Sequence, residues 1–306
     1  MKASPPRKQY LKYLKHIFIY LLVYLAMTGA MEIIIGNHVV GQLFGARPKS
    51  SEVYDNAMNQ LGDFAANVLT ALALIYTYRR LNPAEERGPG LPGFVRHRRD
   101  LIVGLVAGAV SMIIVVGTMV VIGVATINVI TPRLTSLTML IYLLSVAYEE
   151  EVFVRGTLQH TLAKIVPLVF VILLPSVLFG LIHLPNPNIT VFAVINIILV
   201  GVFFAVVTWI TKNLYLAIGF HITWNWFQAS FFGLPTSGAT FDGDFFFKVT
   251  VDEGSDFLTG GVFGPEASIL TTVAFLVMTA GAWVIHRRRE RPVGRIAGQP
   301  AHRSVD

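Results

Sequence analysis

Apolar residues come in blocks of about 20 along this chain, each long enough to cross a hydrocarbon core roughly 30 Å thick as a helix. Eight such blocks lie near residues 16–36, 61–78, 101–128, 135–160, 167–184, 190–210, 214–232 and 267–286. The pattern predicts an all-α, polytopic transmembrane helix bundle of about eight spans. Its second block is the least apolar, because Asp63 and Asn67 interrupt it. Lys2, Arg7, Lys8, Lys12 and Lys15 precede the first block, as basic residues precede the apolar core of a signal peptide. The run from Ile17 to Ile35 is longer than such a core, and it is expected to stay as a span.

Cations alternate from one connection to the next, and connections on the cytoplasmic side should hold the excess of Lys and Arg. The N-terminal tail is basic. The connection after the second block holds Arg79, Arg80, Arg87, Arg96, Arg98 and Arg99, and the C-terminal tail opens with Arg287, Arg288 and Arg289. The intervening connections are poorer: Arg47 and Lys49 after the first block, Arg133 after the third, none after the fifth. After the seventh, Lys248 stands against Asp242, Asp244, Asp252, Glu253, Asp256 and Glu266. Both termini are therefore expected in the cytoplasm. The organisation that follows is a basic tail (1–15), a bundle (16–286) with a polar core at 135–232, an extracytoplasmic loop (233–266) expected to form an ordered cap, and a basic tail (287–306), disordered from about residue 290.

Composition supports lipid as the surroundings. Of 306 residues, 54% are hydrophobic and 14% charged, against about 25% charged in soluble domains. The formal charge of +6 sits in the tails and one loop, so topology accounts for it and no nucleic-acid partner is expected. The expected location is the cell membrane, as a multi-pass protein. Cysteine is absent from the sequence, which excludes disulfides, thiol catalysis and thiolate metal sites.

Ionisable groups inside spanning helices cost several kcal/mol unless they are paired or face a wet cavity. Glu149, Glu150 and Glu151 lie well inside the fourth block, and Arg155 follows Glu151 by one helical turn, close enough for a charge pair. Glu150 is rotated about 100° from Glu151 and can serve another partner. Adjacent carboxylates in a low dielectric cannot all ionise cheaply, which suits one to be a structural anion and another a working acid or base. His183 ends the fifth block, with Phe179 one turn before it. His221 lies within the seventh, with Asn225 one turn after it. Imidazole moves protons near neutral pH, and an amide donor steadies a carbonyl oxygen under attack. Glu150 as base, His183 as helper, and His221 and Asn225 as donors describe a hydrolase that uses water as nucleophile. Hydrogen-bonded glue between helices is the simpler account of any one of these residues.

The spacings resemble the CPBP family of intramembrane proteases, which includes the Rce1-type CAAX prenyl endopeptidases and the Abi proteins. The family's EExxxR is Glu150, Glu151 and Arg155, its FxxxH is Phe179 to His183, and its HxxxN is His221 to Asn225, all in family order over about residues 135–232. The resemblance implies that Glu150 and His183 activate water, that His221 and Asn225 hold the oxyanion, and that Glu151 and Arg155 organise the site. The substrate it implies is a membrane-associated peptide or protein, including prenylated CaaX tails. Glu149 extends the family's pair of acids to a run, and the position of Arg155 fixes the register. No cofactor is expected. Were a metal needed, Glu150, His183 and His221 would supply a two-His, one-carboxylate zinc set. Neither HExxH nor a serine or aspartyl protease motif is present. The alternatives are a membrane immunity or scaffold protein that keeps the fold without catalysis, and a transporter, against which the lack of repeated halves counts. Upright helices would leave His183 about 10 Å further out than His221, so tilt, a longer fourth span or a re-entrant segment ending at Leu184–Pro187 is expected.

Overall fold

A computed structural model describes residues 6–31, 52–85, 88–129, 135–241 and 245–290. Helices α1 (Arg7–Met31), α2 (Glu52–Leu81) and α3 (Phe94–Val121) lead into strand β1 (Ala125–Val129). Helix α4 (Thr135–Glu151) continues as a π-helical stretch, Val152–Gln159, and then α5 (His160–Leu162). Helices α6 (Leu168–Ile182), α7 (Val191–Thr211) and α8 (Tyr215–Trp226) follow, and α8 also passes into a π-helical stretch, Phe227–Phe231. Strand β2 (Phe247–Val251), the short α9 (Asp256–Thr259) and α10 (Ile269–Glu290) complete the described chain.

Among the described residues, five segments are long and apolar enough to cross a membrane: Arg7–Met31, Gln60–Leu81, Phe94–Val121, Val191–Thr211 and Ile269–Arg289. The other three expected spans are helical but do not reach that standard. Helix α6 is apolar and has 15 residues. Helices α4 and α8 give way to π-helix after 17 and 12 residues and carry the polar groups of the site. Helix α1 starts at Arg7 and α3 at Phe94, ahead of the expected 16 and 101, because Lys and Arg favour helix and extend it past the apolar run. Likewise α10 runs on through Arg287–Arg289 to Glu290. Lys2, Arg47, Lys49, Arg87, Arg133, Asp242, Asp244 and the tail from 291, on which several topology and disorder expectations rest, lie outside the described residues.

The described chain is mostly helical, and one strand pair corrects the expected end of the third span. Residues 125–129 are not the end of a third span: they are β1, antiparallel to β2, with Ala125 opposite Val251 and Val129 opposite Phe247. Thr126, Ile127 and Val129 are β-branched and suit a pleated ribbon. The loop 233–266 is built around this pair, with Val249 buried against Phe232 and Trp224 in one core cluster.

Lipid-type packing is visible inside and out. Phe18, Leu25, Leu72, Val106, Ile114 and Val277 are large apolar side chains left exposed, as expected where the surroundings are acyl chains. Helices α3 and α8 cross with their backbones almost touching: a Cβ on Gly104 would meet Leu216 O at 2.2 Å, and one on Gly108 would meet Phe220 O at 2.3 Å. Thr223 Oγ1 donates to Leu105 O at 2.8 Å across the same crossing. Small residues allow such contact, which stabilises helix pairs where lipid offers no hydrophobic contrast. The crossing fixes α8, and with it His221 and Asn225.

Candidate functional site

The site starts where α4 turns into π-helix. A π-turn widens the helix and is frequent at functional positions; here it covers Val152–Gln159, all of it buried. Arg155, 1% exposed, donates from Nη1 to Glu151 Oε1 at 2.8 Å and from Nη2 to Gly201 O of α7 at 3.2 Å. Its guanidinium lies over Phe179 at 4.3 Å and Phe204 at 5.2 Å from the ring centres, a cation–π arrangement. Gln159 repeats the docking one turn on, donating to Ala205 O at 2.9 Å. The charge pair is thus clamped between α4, α6 and α7.

His183 directly follows α6. Its Nδ1 is 2.7 Å from Phe179 O, and a carbonyl can only accept, so Nδ1 carries the proton and Nε2 of the neutral ring keeps its lone pair. On α8, His221 stacks on Phe204 at 5.3 Å. Its Nδ1 is 3.4 Å from Glu151 Oε1 and its Nε2 is 3.8 Å from Glu150 Oε2. These are close approaches rather than aligned hydrogen bonds: neither His221 Nδ1 nor Glu150 Oε2 has a hydrogen-bond partner among the described residues.

Glu150, His183, His221 and Asn225 line a single cavity of about 360 Å³. The depth offset expected between the two histidines does not separate them, since α6 delivers His183 into the cavity that α8 also borders. Glu151 and Arg155 stand behind it, fully enclosed. Glu149 points elsewhere, into a neighbouring cavity with Asp63.

Other wall residues carried no signal in the sequence. Tyr24 of α1 and Tyr142 of α4 border the cavity, with Tyr24 stacked on Phe153 at 3.8 Å. Ser237 of the loop lines it too, and Glu266 borders a small adjoining recess with His183, His221 and Asn225. Glu266 is 7% exposed and accepts from both the backbone N–H and the hydroxyl of Ser237. Burial pushes its carboxyl above the ordinary range, with the Ser237 bonds and the nearby His183 acting in the opposite sense. In the sequence Glu266 is one more acid of an acidic loop; only the fold separates it from Asp252 or Glu253.

Among the described residues no three His, Asp or Glu side chains converge as a group that could hold a metal ion. Glu150, His183 and His221 share a cavity without converging as such a group.

Long apolar helices around a polar, acid- and imidazole-lined cavity define a multi-pass membrane protein with a buried polar centre. Residues 132–227 match the family described as Type II CAAX prenyl endopeptidase Rce1-like, and the matched segment contains all three motifs. No curated protein and no solved structure matches the chain.

Proposed function

We propose that this protein is an intramembrane endopeptidase of the cell membrane that hydrolyses a peptide bond in a membrane-associated substrate of the prenylated CaaX type, using water activated by Glu150 and His183. The observation that carries this is the convergence of Glu150, His183, His221 and Asn225, drawn from three separate helical segments, on one cavity.

Water held between Glu150 and Nε2 of His183 gives up a proton as its oxygen bonds to the carbonyl carbon. The displaced electron pair moves onto the carbonyl oxygen, where Asn225 Nδ2 donates a hydrogen bond. His221 donates from Nε2, with Glu151 lying beside its Nδ1. Collapse of the intermediate breaks the C–N bond, and the proton held by the Glu150–His183 pair passes to the leaving amine. Positioned acid–base groups of this kind contribute about 10²–10⁴-fold.

Purified protein in vesicles, given a fluorogenic prenylated CaaX peptide, tests the proposal. The expected result is cleavage that falls by about 10²-fold or more in Glu150→Gln at equal folded protein and that persists after exhaustive chelation. Absence of cleavage from every membrane-anchored peptide offered would overturn the peptidase. Chelator-sensitive cleavage restored by zinc would overturn the metal-free route alone.

A further inference from the structure

A second cavity adjoins the catalytic one. It holds about 430 Å³ and lies between α1, α2 and α4. Tyr24, Tyr142, Val146 and Glu150 belong to its wall and to that of the catalytic cavity, so the two chambers meet at the proposed base. Beyond that shared wall lie Asp63, Asn67, Thr70 and Glu149.

The charges of the two chambers differ. Around the catalytic cavity Glu151 is matched by Arg155, and Glu150 faces His221. In the second chamber, Asp63, Glu149 and Glu150 are the ionisable side chains besides the tyrosines, and no Lys, Arg or His lines it among the described residues. Glu149 is 5% exposed and its Oε1 has no hydrogen-bond partner among those residues. The neighbouring amide is turned to another partner, Asn67 Nδ2 donating to Ser145 Oγ at 3.1 Å. A buried carboxyl oxygen without a donor, in a chamber with acids and no base among the described residues, is a place where a cationic donor would be stabilised.

We infer that this chamber is a specificity subsite for an ammonium or guanidinium group of the peptide substrate, held by Glu149 and Asp63 next to the scissile bond. The inference rests on the peptidase proposed above for its source of ligand. Lysine or arginine reaches such a pocket on a flexible apolar stem, which suits an opening lined by Tyr24, Tyr142 and Val146.

The test uses the full chain in phosphatidylcholine vesicles, which present no primary amine. Acylated fluorogenic peptides carry one Lys walked through the positions flanking the scissile bond, each matched by a norleucine peptide. At one position Lys should raise kcat/KM by about tenfold, and the Lys-to-norleucine ratio should fall toward unity in both Asp63→Asn and Glu149→Gln. The ratio is internal to each variant, so a general loss of folded protein does not imitate the result. The same peptides are then bound to Glu150→Gln protein by fluorescence anisotropy, with the Lys peptide expected to bind about tenfold tighter.

Cleavage with no preferred Lys position, or a preference that survives both substitutions, overturns the subsite and leaves the peptidase standing. A binding preference that depends on Glu149, without cleavage, overturns the peptidase and keeps the cation site. Neither cleavage nor preferential binding overturns both. Glu149-dependent binding of a fluorescent ethanolamine lipid, with no peptide preference, would assign the chamber to a headgroup amine and overturn the peptide as its source.

Discussion

Glu151 Oε1 lies 3.4 Å from His221 Nδ1 while accepting from Arg155 Nη1 at 2.8 Å. A single carboxylate oxygen, enclosed on all sides, therefore faces two cations or potential cations from different helical segments. This joins the π-helical stretch after α4 to α8, and it sets which nitrogen of His221 turns to the cavity. Ligand-facing histidines are commonly oriented by such a partner behind them.

Removing Arg155 should therefore destabilise the whole protein rather than only slow it. Arg155→Ala leaves Glu151 buried beside an imidazole alone, at a cost of about 3–5 kcal/mol. Arg155→Lys keeps the charge but loses the fork that reaches both Glu151 and Gly201 O, so an intermediate loss is expected. Thermal unfolding in detergent, followed by tryptophan fluorescence, ranks wild type above Lys above Ala. Equal melting of wild type and Arg155→Ala would remove the clamp from the account.

Asn225 offers a cleaner test of catalysis, because it borders the cavity and takes no part in the Arg155–Glu151 clamp. Asn225→Ala should lower kcat by about 10²–10³-fold, the usual cost of one oxyanion donor, with KM little changed. His183→Ala should also lower kcat, because it removes the imidazole nitrogen that faces the cavity. A rise in KM alone in either variant would recast that residue as a binding group.

The site was more legible in the sequence than the spans. Glu151 with Arg155, Phe179 with His183, and His221 with Asn225 are one-turn pairs, and helical periodicity alone puts each pair on one face. Glu266, Ser237 and Tyr24 reach the same centre through long-range packing, and no local pattern marks them. Spans were harder for a related reason: α4 and α8 surrender apolar character to hold polar side chains, so a hydropathy rule that finds α3 and α7 weakens at the functional helices. Strand β1 was hidden because Thr126, Ile127 and Val129 continue the apolar run of α3, and its partner β2 lies more than a hundred residues away in the chain.

The crossing of α3 and α8 predicts that glycines outside the cavity wall control activity. A Cβ at Gly108 would meet backbone oxygen at 2.3 Å and one at Gly219 would meet Leu101 O at 2.5 Å, whereas nothing lies within 4 Å of one at Gly117 on the same α3. Gly108→Ala and Gly219→Ala should each lower the melting temperature, with overpacking costs of about 1–3 kcal/mol, and should reduce kcat by displacing His221. Gly117→Ala should be neutral or slightly stabilising, since alanine is the better helix former. A loss in Gly117→Ala matching that at Gly108 would show that the crossing is not the cause.

Glu266 gives a pH dependence with a definite sign. Burial raises its carboxyl above the ordinary value of 4.5, outweighing the Ser237 bonds and His183, which pull it down. The folded protein therefore keeps a proton on Glu266 at pH values where the unfolded chain has lost it. Stability falls with rising pH wherever the folded state binds more protons, so this contribution is complete below 4.5 and is lost as pH rises from there through the folded value. Glu266→Gln cannot titrate, and it retains an oxygen for Ser237. The melting temperature of wild type minus that of Glu266→Gln should thus decline from pH 4.5 upward and level off once the folded carboxyl is ionised. A difference that grows with pH would mean that Glu266 works as an anion, bound to Ser237 and facing a charged His183, and would make it an electrostatic partner of the proposed water-activating pair.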